Sequence, residues 1–369
     1  LKKKLAEILI LLSAVAFIGW GSVGHRIING NTTASFPQQL DFLRIWNDDL
    51  ISHGSDADYR KSSDPAEENK HYIDIDNFPE FVSTGQIQQN FDSLAAVHNY
   101  DFIMQQGILP WAIIETAHSL EAAFRNRQWD EAMLLAADLG HYVGDAHMPL
   151  HLSRNYNGQY SGQSGVHSRY ESKLIETYQN EIRYPAVGAE YVADISDFTF
   201  KMIYHNYTFV DSLLSADRAA TAFAGNSRDN TYYGQFWQIS KSFTITLFQS
   251  ASSKLASLIY TCWINAGSPS PTSDLQARCE QMENFTLHQN YPNPFNSQTN
   301  IGYKIQKEGR VSLAVYNLRG QLIETLYEGI RTPGNYVTKW DAVAVANGPY
   351  LIRMEAKDFH VTRMCVVLK

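Results

Sequence analysis

Between residues 20 and 265 the apolar positions recur every three or four residues, the period of an amphipathic helix. LEAAFRNRQWDEAMLLAADLGHYVGD (residues 120–145), DSLLSADRAATAFAG (211–225) and FWQISKSFTITLFQSASSKLASLIYTCWI (236–264) all show it on good helix formers. Their aromatic and aliphatic stripes read as core packing. The texture changes at NAGSPSPTSDLQ (265–276), where Ser, Pro and Gly make a linker. Short alternating runs follow: TNIGYKI, VSLAVYNL, NYVTKW, YLIRMEA and VTRMCVVLK, separated by the turn signals LRG, TPGN and ANGPY. Regular short strands of this kind predict a small β-sandwich. The pattern therefore predicts a multi-domain chain: an all-α domain over residues 20–265, a linker over 266–283 and an all-β sandwich over 284–369.

The first 19 residues, LKKKLAEILILLSAVAFIG, pair a basic start with an apolar run too short to span a bilayer comfortably. They read as a secretory signal peptide and stand outside the fold. No later stretch is apolar enough over enough residues for a membrane helix. Length supports two domains, since 369 residues exceed one ordinary core.

Charge alters the picture mildly. The net charge is -8, with roughly +2 in the first 19 residues and roughly +2 in 280–369, leaving roughly -12 on the middle. An acidic domain is poorly suited to nonspecific polyanion binding, although bound metal reverses the sign locally. The cysteines, Cys262, Cys279 and Cys365, fit no zinc motif. They allow one optional bridge, Cys262 with Cys279, and leave Cys365 odd.

LGHYVGDAHMPLH (139–151) carries the densest chemistry. His141 and Asp145 are four apart, so on a helix they point the same way and can grip one ion. GVHSRYES repeats the spacing with His167 and Glu171, and His151 lies between the pairs, just past Pro149. One pair arises by chance on a surface helix; two pairs flanking a third histidine do so much less often. Upstream, SDADYRKSSDPAEENKHYIDID adds Asp56, Asp58 and His71, with Asp74 and Asp76 available to support the ligands. WGSVGHRIING adds Trp20 and His25 where the signal peptide ends. His53, His98, His118 and His205 lack a matched partner in this pattern and read as core or surface residues.

In this order the elements resemble the zinc-dependent phospholipase C and single-strand-specific nuclease superfamily over residues 20 to about 260. The shared pattern is an N-terminal Trp, an early His, an Asp and a His, then H-x3-D-x5-H, and last H-x3-E or H-x3-D. The resemblance implies three zinc ions. The first would be held by Asp58, His71, His141 and Asp145, and the second by His151, His167 and Glu171 with room for water. The third would use Asp145 as a bridge, His25, and the amino group and carbonyl of Trp20, so it depends on cleavage directly before Trp20. Asp56 is the alternative to Asp58, because both spacings to His71 fit the family; ADYRK aligns better with Asp58. The resemblance also assigns Asp58 to orienting the attacking water or acting as general base.

Such a metal set implies a zinc-dependent hydrolase acting on phosphodiesters, with water activated at the metals. The chain has no G-x-S-x-G elbow, no phosphate-cradling Gly-rich loop and no Cys placed as a nucleophile. Glu171 and the acidic middle domain lean the reading towards phospholipase C and a zwitterionic lipid head group. The spacing of WGSVGH resembles the nuclease branch, and single-strand recognition can rest on stacking, so an endonuclease or 3'-nucleotidase is the alternative. A non-enzymatic zinc-binding surface protein is the third class. Tyr156 and Tyr160, in LSRNYNGQYSGQSG (152–165), are candidate contacts at the substrate mouth, against a reading as ordinary loop residues.

NYPNPFNSQTNIGYKI, VYNLRGQLIETL, GPYLIRM and the terminal Lys369 are similar to the C-terminal sorting domain of type IX secretion, over about residues 284–369. That resemblance implies type IX secretion machinery as a partner and a secreted or outer-surface location. A retained adhesion or carbohydrate-binding sandwich is the alternative.

Overall fold

The computed structural model describes residues 22–273, 275–276, 285–317, 320–356 and 359–369. The expected signal peptide, Trp20 and Cys279 lie outside the described residues. The chain divides into two compact units between Ser270 and Pro271. Among the described residues no helix is long and apolar enough to cross a membrane.

The first unit is helical. Its principal helices are α1 (Val23–Thr32), α2 (Asn47–His53), α3 (Asp56–Arg60), α4 (Leu109–Arg125), α5 (Trp129–Asp145), α6 (Ile195–Tyr207), α7 (Val210–Phe223) and α8 (Asn230–Asn265). Capping sets several boundaries: the Asp194 carboxylate accepts from the Asp197 amide, and Asp229 accepts from the Thr231 and Tyr232 amides. At 36 residues α8 is the longest helix, roughly 54 Å of rod. It packs against α1 and α4, where Ser252 Oγ donates to the Ile28 carbonyl at 2.9 Å and Cys262 Sγ to the Ala117 carbonyl at 3.2 Å. Cys262 is free and buried.

The last two turns of α5 are buried on every side, from Leu139 to Asp145. This is possible because Gly140 and Gly144 leave room for α1. A Cβ on Gly140 would meet Asn29 Oδ1 at 2.1 Å, and one on Gly144 would meet His25 Nδ1 at 2.9 Å. Asn29 in turn donates to the Leu50 carbonyl of α2 at 3.0 Å. Helices α1, α2 and α5 thus meet around a polar centre rather than a hydrocarbon one.

The second unit holds two antiparallel sheets. Its strands are β1 (Phe285–Leu287), β2 (Gln298–Ile305), β3 (Gly309–Asn317), β4 (Leu322–Arg331), β5 (Gly334–Asp341), β6 (Gly348–Ala356) and β7 (Phe359–Val367). One sheet has the order β1-β2-β5, the other β4-β3-β6-β7. Alternation holds where both sides of the pattern are needed: Ile301, Tyr303 and Ile305 on β2 and Val311, Leu313 and Val315 on β3 all enter one shared core. Trp340 of β5 is fully buried, and its Nε1 donates to Glu324 of β4 at 3.1 Å, joining the sheets. Both sheets bury their inner faces in one core, which makes the unit a sandwich. β4 itself is largely exposed and lacks clean alternation, as an edge strand allows.

Candidate metal centre

The centre is assembled from five stretches of the helical unit. α1 supplies His25, α3 supplies Asp58, and α5 supplies His141 and Asp145 one turn apart on one face. α5 ends at Asp145, and Pro149 opens a short 3-10 turn (Pro149–Leu152) that returns His151 to the same place. His71 closes another 3-10 turn (Glu68–His71). Two residues on, the Ile73 amide donates to the His151 carbonyl at 2.8 Å, and the Asp74 amide donates to the Gln106 carbonyl at 2.7 Å. These bonds lay the His71 strand of backbone beside the His151 turn.

His167 and Glu171 come from a helical segment whose middle, Arg169–Leu174, is π-helical, a form concentrated at functional sites. The segment is moored from behind. Arg169 pairs with the fully buried Asp217 at 2.9 Å, and Gln163 donates to the other Asp217 oxygen at 2.7 Å.

Three groups of side chains each bring their donor atoms within 4.8 Å of one another: Asp58, His71 and His141; His151, His167 and Glu171; and His25, His141 and Asp145. Asp145 lies among all of them. Its Oδ2 is 3.0 Å from His71 Nδ1 and 3.3 Å from His141 Nε2, while its Oδ1 is 3.0 Å from His151 Nδ1 and 3.7 Å from His25 Nε2. Asp58 Oδ1 stands 3.6 Å from His141 Nε2 and 3.7 Å from His71 Nδ1. In the second group His151 Nε2 lies 3.2 Å from His167 Nε2, and Glu171 Oε2 lies 2.5 Å from His167 Nε2. The His25 ring stacks on His141 with centroids 3.8 Å apart.

Trp20 lies outside the described residues, so the described part of the third group ends at His25. Asp56 does not join. Its Oδ2 is 2.7 Å from His53 Nδ1 and more than a third exposed, so it faces outward while Asp58 faces in. His98 likewise has a local partner, Glu80 at 2.8 Å, which the spacing pattern did not reveal. His147, inside the motif, is buried for a structural reason: Nδ1 donates to the Val143 carbonyl at 2.7 Å and Nε2 sits 3.0 Å from Ser250 Oγ. Burial pushes its imidazole down to about 3, so it stays neutral.

The electrostatics of the centre are those of a place waiting for positive charge. Burial alone would keep His141 neutral, but the Asp145 and Asp58 carboxylates outweigh it and push its pKa up to about 10. Burial opposes charge on Asp145 too, and there the His141 and His151 imidazoles win, holding it well below the usual carboxylate range. Asp58 behaves in the same way, mainly through His141, with Lys61 Nζ 2.7 Å from Oδ1 adding to the effect. Burial and the His141 charge push His25 down to about 3.

The donor set fits zinc. It is all nitrogen and carboxylate oxygen, on rings already turned inwards. Asp58 Oδ2, Asp145 Oδ1, His151 Nδ1 and Glu171 Oε1 are buried without a well-formed hydrogen bond. Polar atoms left this way in an interior are expensive, and an ion would satisfy them together. His141 is also held as a ligand should be: Nδ1 donates to the Gly54 carbonyl at 2.9 Å, leaving Nε2 to face the centre.

Sequence reasoning passed over three neighbours of the centre: Gly54, Lys61 and Glu67. Only Glu67 left a trace, because Glu67 and His71 repeat the four-residue spacing in reverse order.

Tyr156 marks the way out, with its ring 6.2 Å from the His167 ring and half its surface exposed. Tyr160, further along the same loop, is largely exposed, and Arg154 lies over its ring. Beside the His71 turn an open cleft of about 520 Å³ is lined by Glu68, Asn69, Tyr72, Asp101, Met104 and Gln105.

Comparison with known proteins bears mainly on the second unit. No curated protein matches the chain. Alpha-toxin of Clostridium perfringens (from an avian strain) is similar in structure, with a TM-score of 0.45 and 10% identity over 94% of this chain and 98% of the toxin. The alpha toxin of Clostridium absonum gives 0.44 and 10%, over 95% and 96%. Residues 289–368 match the family model described as the secretion system C-terminal sorting domain. That match marks the β-sandwich as a sorting domain, and the chain as one directed to secretion or to the cell surface.

Proposed function

We propose that the chain is a zinc-dependent phosphodiesterase of phospholipase C type, acting on phosphodiesters with a cationic head group. The observation that carries the proposal is the convergence of three donor groups on Asp145, with buried oxygens and nitrogens that the protein leaves without well-formed hydrogen bonds. Asp58, His71, His141 and Asp145 would hold the first ion, and His151, His167 and Glu171 the second. Asp145, His25 and the amino end of Trp20 would hold the third. Bound zinc supplies charge stabilisation for the phosphoryl oxygens and lowers the pKa of water.

The chain's own groups do the rest. Asp58, kept ionised by His141 and Lys61, accepts a hydrogen bond from the attacking water and orients it. Closed packing of α1, α2 and α5 behind the ligands keeps bulk water on one side only. Glu68 and Asp101 make the cleft beside His71 acidic, and Tyr72 gives it an aromatic wall. Acidic groups with an aromatic face attract a quaternary ammonium and repel a polyanion.

A second reading, a single-strand-specific nuclease, draws on Tyr156, whose ring lies beside His167, and on Tyr72, which lines the cleft; both are rings on which bases could stack. The deciding experiment gives the mature, zinc-loaded protein phosphatidylcholine and single-stranded DNA in parallel, with and without chelator. Chelator-sensitive release of phosphocholine is the expected result. Release of nucleotides alone would replace the lipid reading with the nuclease one, and activity on neither would remove both.

A further inference from the structure

We infer that Glu67 is a positioning residue that fixes His71 as an Nδ1 metal ligand; the inference rests on the zinc reading above. His71 turns Nδ1, not Nε2, towards the other donors: Nδ1 is 3.0 Å from both His141 Nε2 and Asp145 Oδ2. An imidazole that binds metal through Nδ1 carries its proton on Nε2, and a partner for that proton decides tautomer and ring orientation. Nε2 of His71 is buried without a well-formed hydrogen bond. The carboxylate oxygen it faces is Glu67 Oε1, at 3.7 Å. Closing that gap to hydrogen-bond length needs a shift of about 0.7 Å, which a small ring rotation provides.

Glu67 is built to wait there. It is 1% exposed, and buried carboxylates are kept only where donors surround them. Lys70 Nζ donates to Oε2 at 2.9 Å, Arg60 Nη2 approaches Oε1 at 3.3 Å, and the Tyr142 hydroxyl donates to Oε1. Arg60 is itself pinned by Asp138 at 2.9 Å. Tyr142 follows His141 directly, so one short stretch of α5 supplies both a ligand and a brace for the residue that orients another ligand. His141 needs no such carboxylate, because the Gly54 carbonyl holds its outer nitrogen.

The full-length protein tests this by zinc titration against a competing chelator, with melting of the chelated chains measured alongside. Glu67→Ala should weaken one zinc per chain by about 10–100-fold. Glu67→Gln keeps an oxygen that can accept from Nε2 and should recover most of the affinity. Glu67→Asp keeps the charge for Arg60 and Lys70 but withdraws the oxygen by one methylene. It should bind that zinc more weakly than wild type, and it decides the matter should Glu67→Ala fail to fold.

Unchanged zinc affinity in Glu67→Ala or Glu67→Asp overturns the inference, as does a Gln variant no better than Ala, since the role would then be that of an ion-pair hub. A wild-type chain that takes up no zinc removes the metal reading itself, a separate result from zinc-binding variants that match wild type.

Discussion

Asp74 and Asp76 stand two residues apart just after His71, and their surroundings give them opposite characters. The Asp76 carboxylate accepts from Ser153 Oγ and from the Arg154 amide, both at 2.8 Å, so it ties the turn after His151 to the turn after His71. Burial, reinforced by the charge of Asp76 and opposed by Arg154, pushes the Asp74 carboxyl up to about 7 from an ordinary 3.8. A folded pKa above the unfolded one means that the folded chain holds the extra proton. The associated stability is full below about pH 4 and is lost as pH rises through about 7. Asn imitates the protonated acid. Asp74→Asn should therefore raise the melting temperature clearly at pH 8, distinctly less at pH 5 and hardly at pH 4. Equal shifts at all of these pH values would show that the gain has nothing to do with the proton. Spacing proposed both residues as supports for the ligands, but could not separate them, because the separation comes from which one faces Ser153. The same holds for Asp56 and Asp58: both fit by counting, and only the direction of each side chain from α3 sends one to His53 and the other inwards.

At the scale of elements, the helix that carries His141 and Asp145 is half of a close contact. Gly140 and Gly144 form the face of α5 next to the ligand face, and α1 fills the space their missing side chains leave. A methyl at position 144 must push back the His25 ring, 2.9 Å from the ideal Cβ, and with it the stack on His141. Gly144→Ala is expected to cost about 1–3 kcal/mol through overpacking. It should also bind fewer zinc ions per chain than wild type, because His25 leaves its place beside Asp145. Metal content by mass spectrometry together with thermal melting checks this, and wild-type values in both would mean that α1 yields without disturbing the centre. Helical period made α5 and the middle of α8 visible in sequence, since each has a buried stripe. Nothing in that period announces the π-helical turn under Glu171, which is a matter of one extra residue per turn, nor the full length of α8 back to Asn230. β4 escaped for a related reason: an edge strand exposed on most of its length has no stripe to read.

For the molecule as a whole, the two textures of the sequence correspond to two separately cored bodies, and the described ligand candidates all belong to one of them. The sandwich closes on its own core around Trp340, Tyr303 and Ile352, with no part of the centre in it. Its stability should accordingly be indifferent to metal. The helical unit is the opposite case, because without ions Asp58 Oδ2, Asp145 Oδ1, Glu171 Oε1 and His151 Nδ1 would stay buried without well-formed hydrogen bonds. A ligand that binds only the folded state stabilises it by an amount set by its concentration relative to Kd, about 4 kcal/mol at a thousandfold excess. For a unit of this size each kcal/mol moves the midpoint by about 2–4 °C. Calorimetry of the full chain before and after chelation should thus show one transition falling by about 10 °C and a second, that of the sandwich, staying in place. Two transitions that fall together would tie the sandwich to the metal. Two that both stay would mean that the buried carboxylates and imidazoles around Asp145 satisfy one another without an ion, and the metal centre would then be a polar core and nothing more.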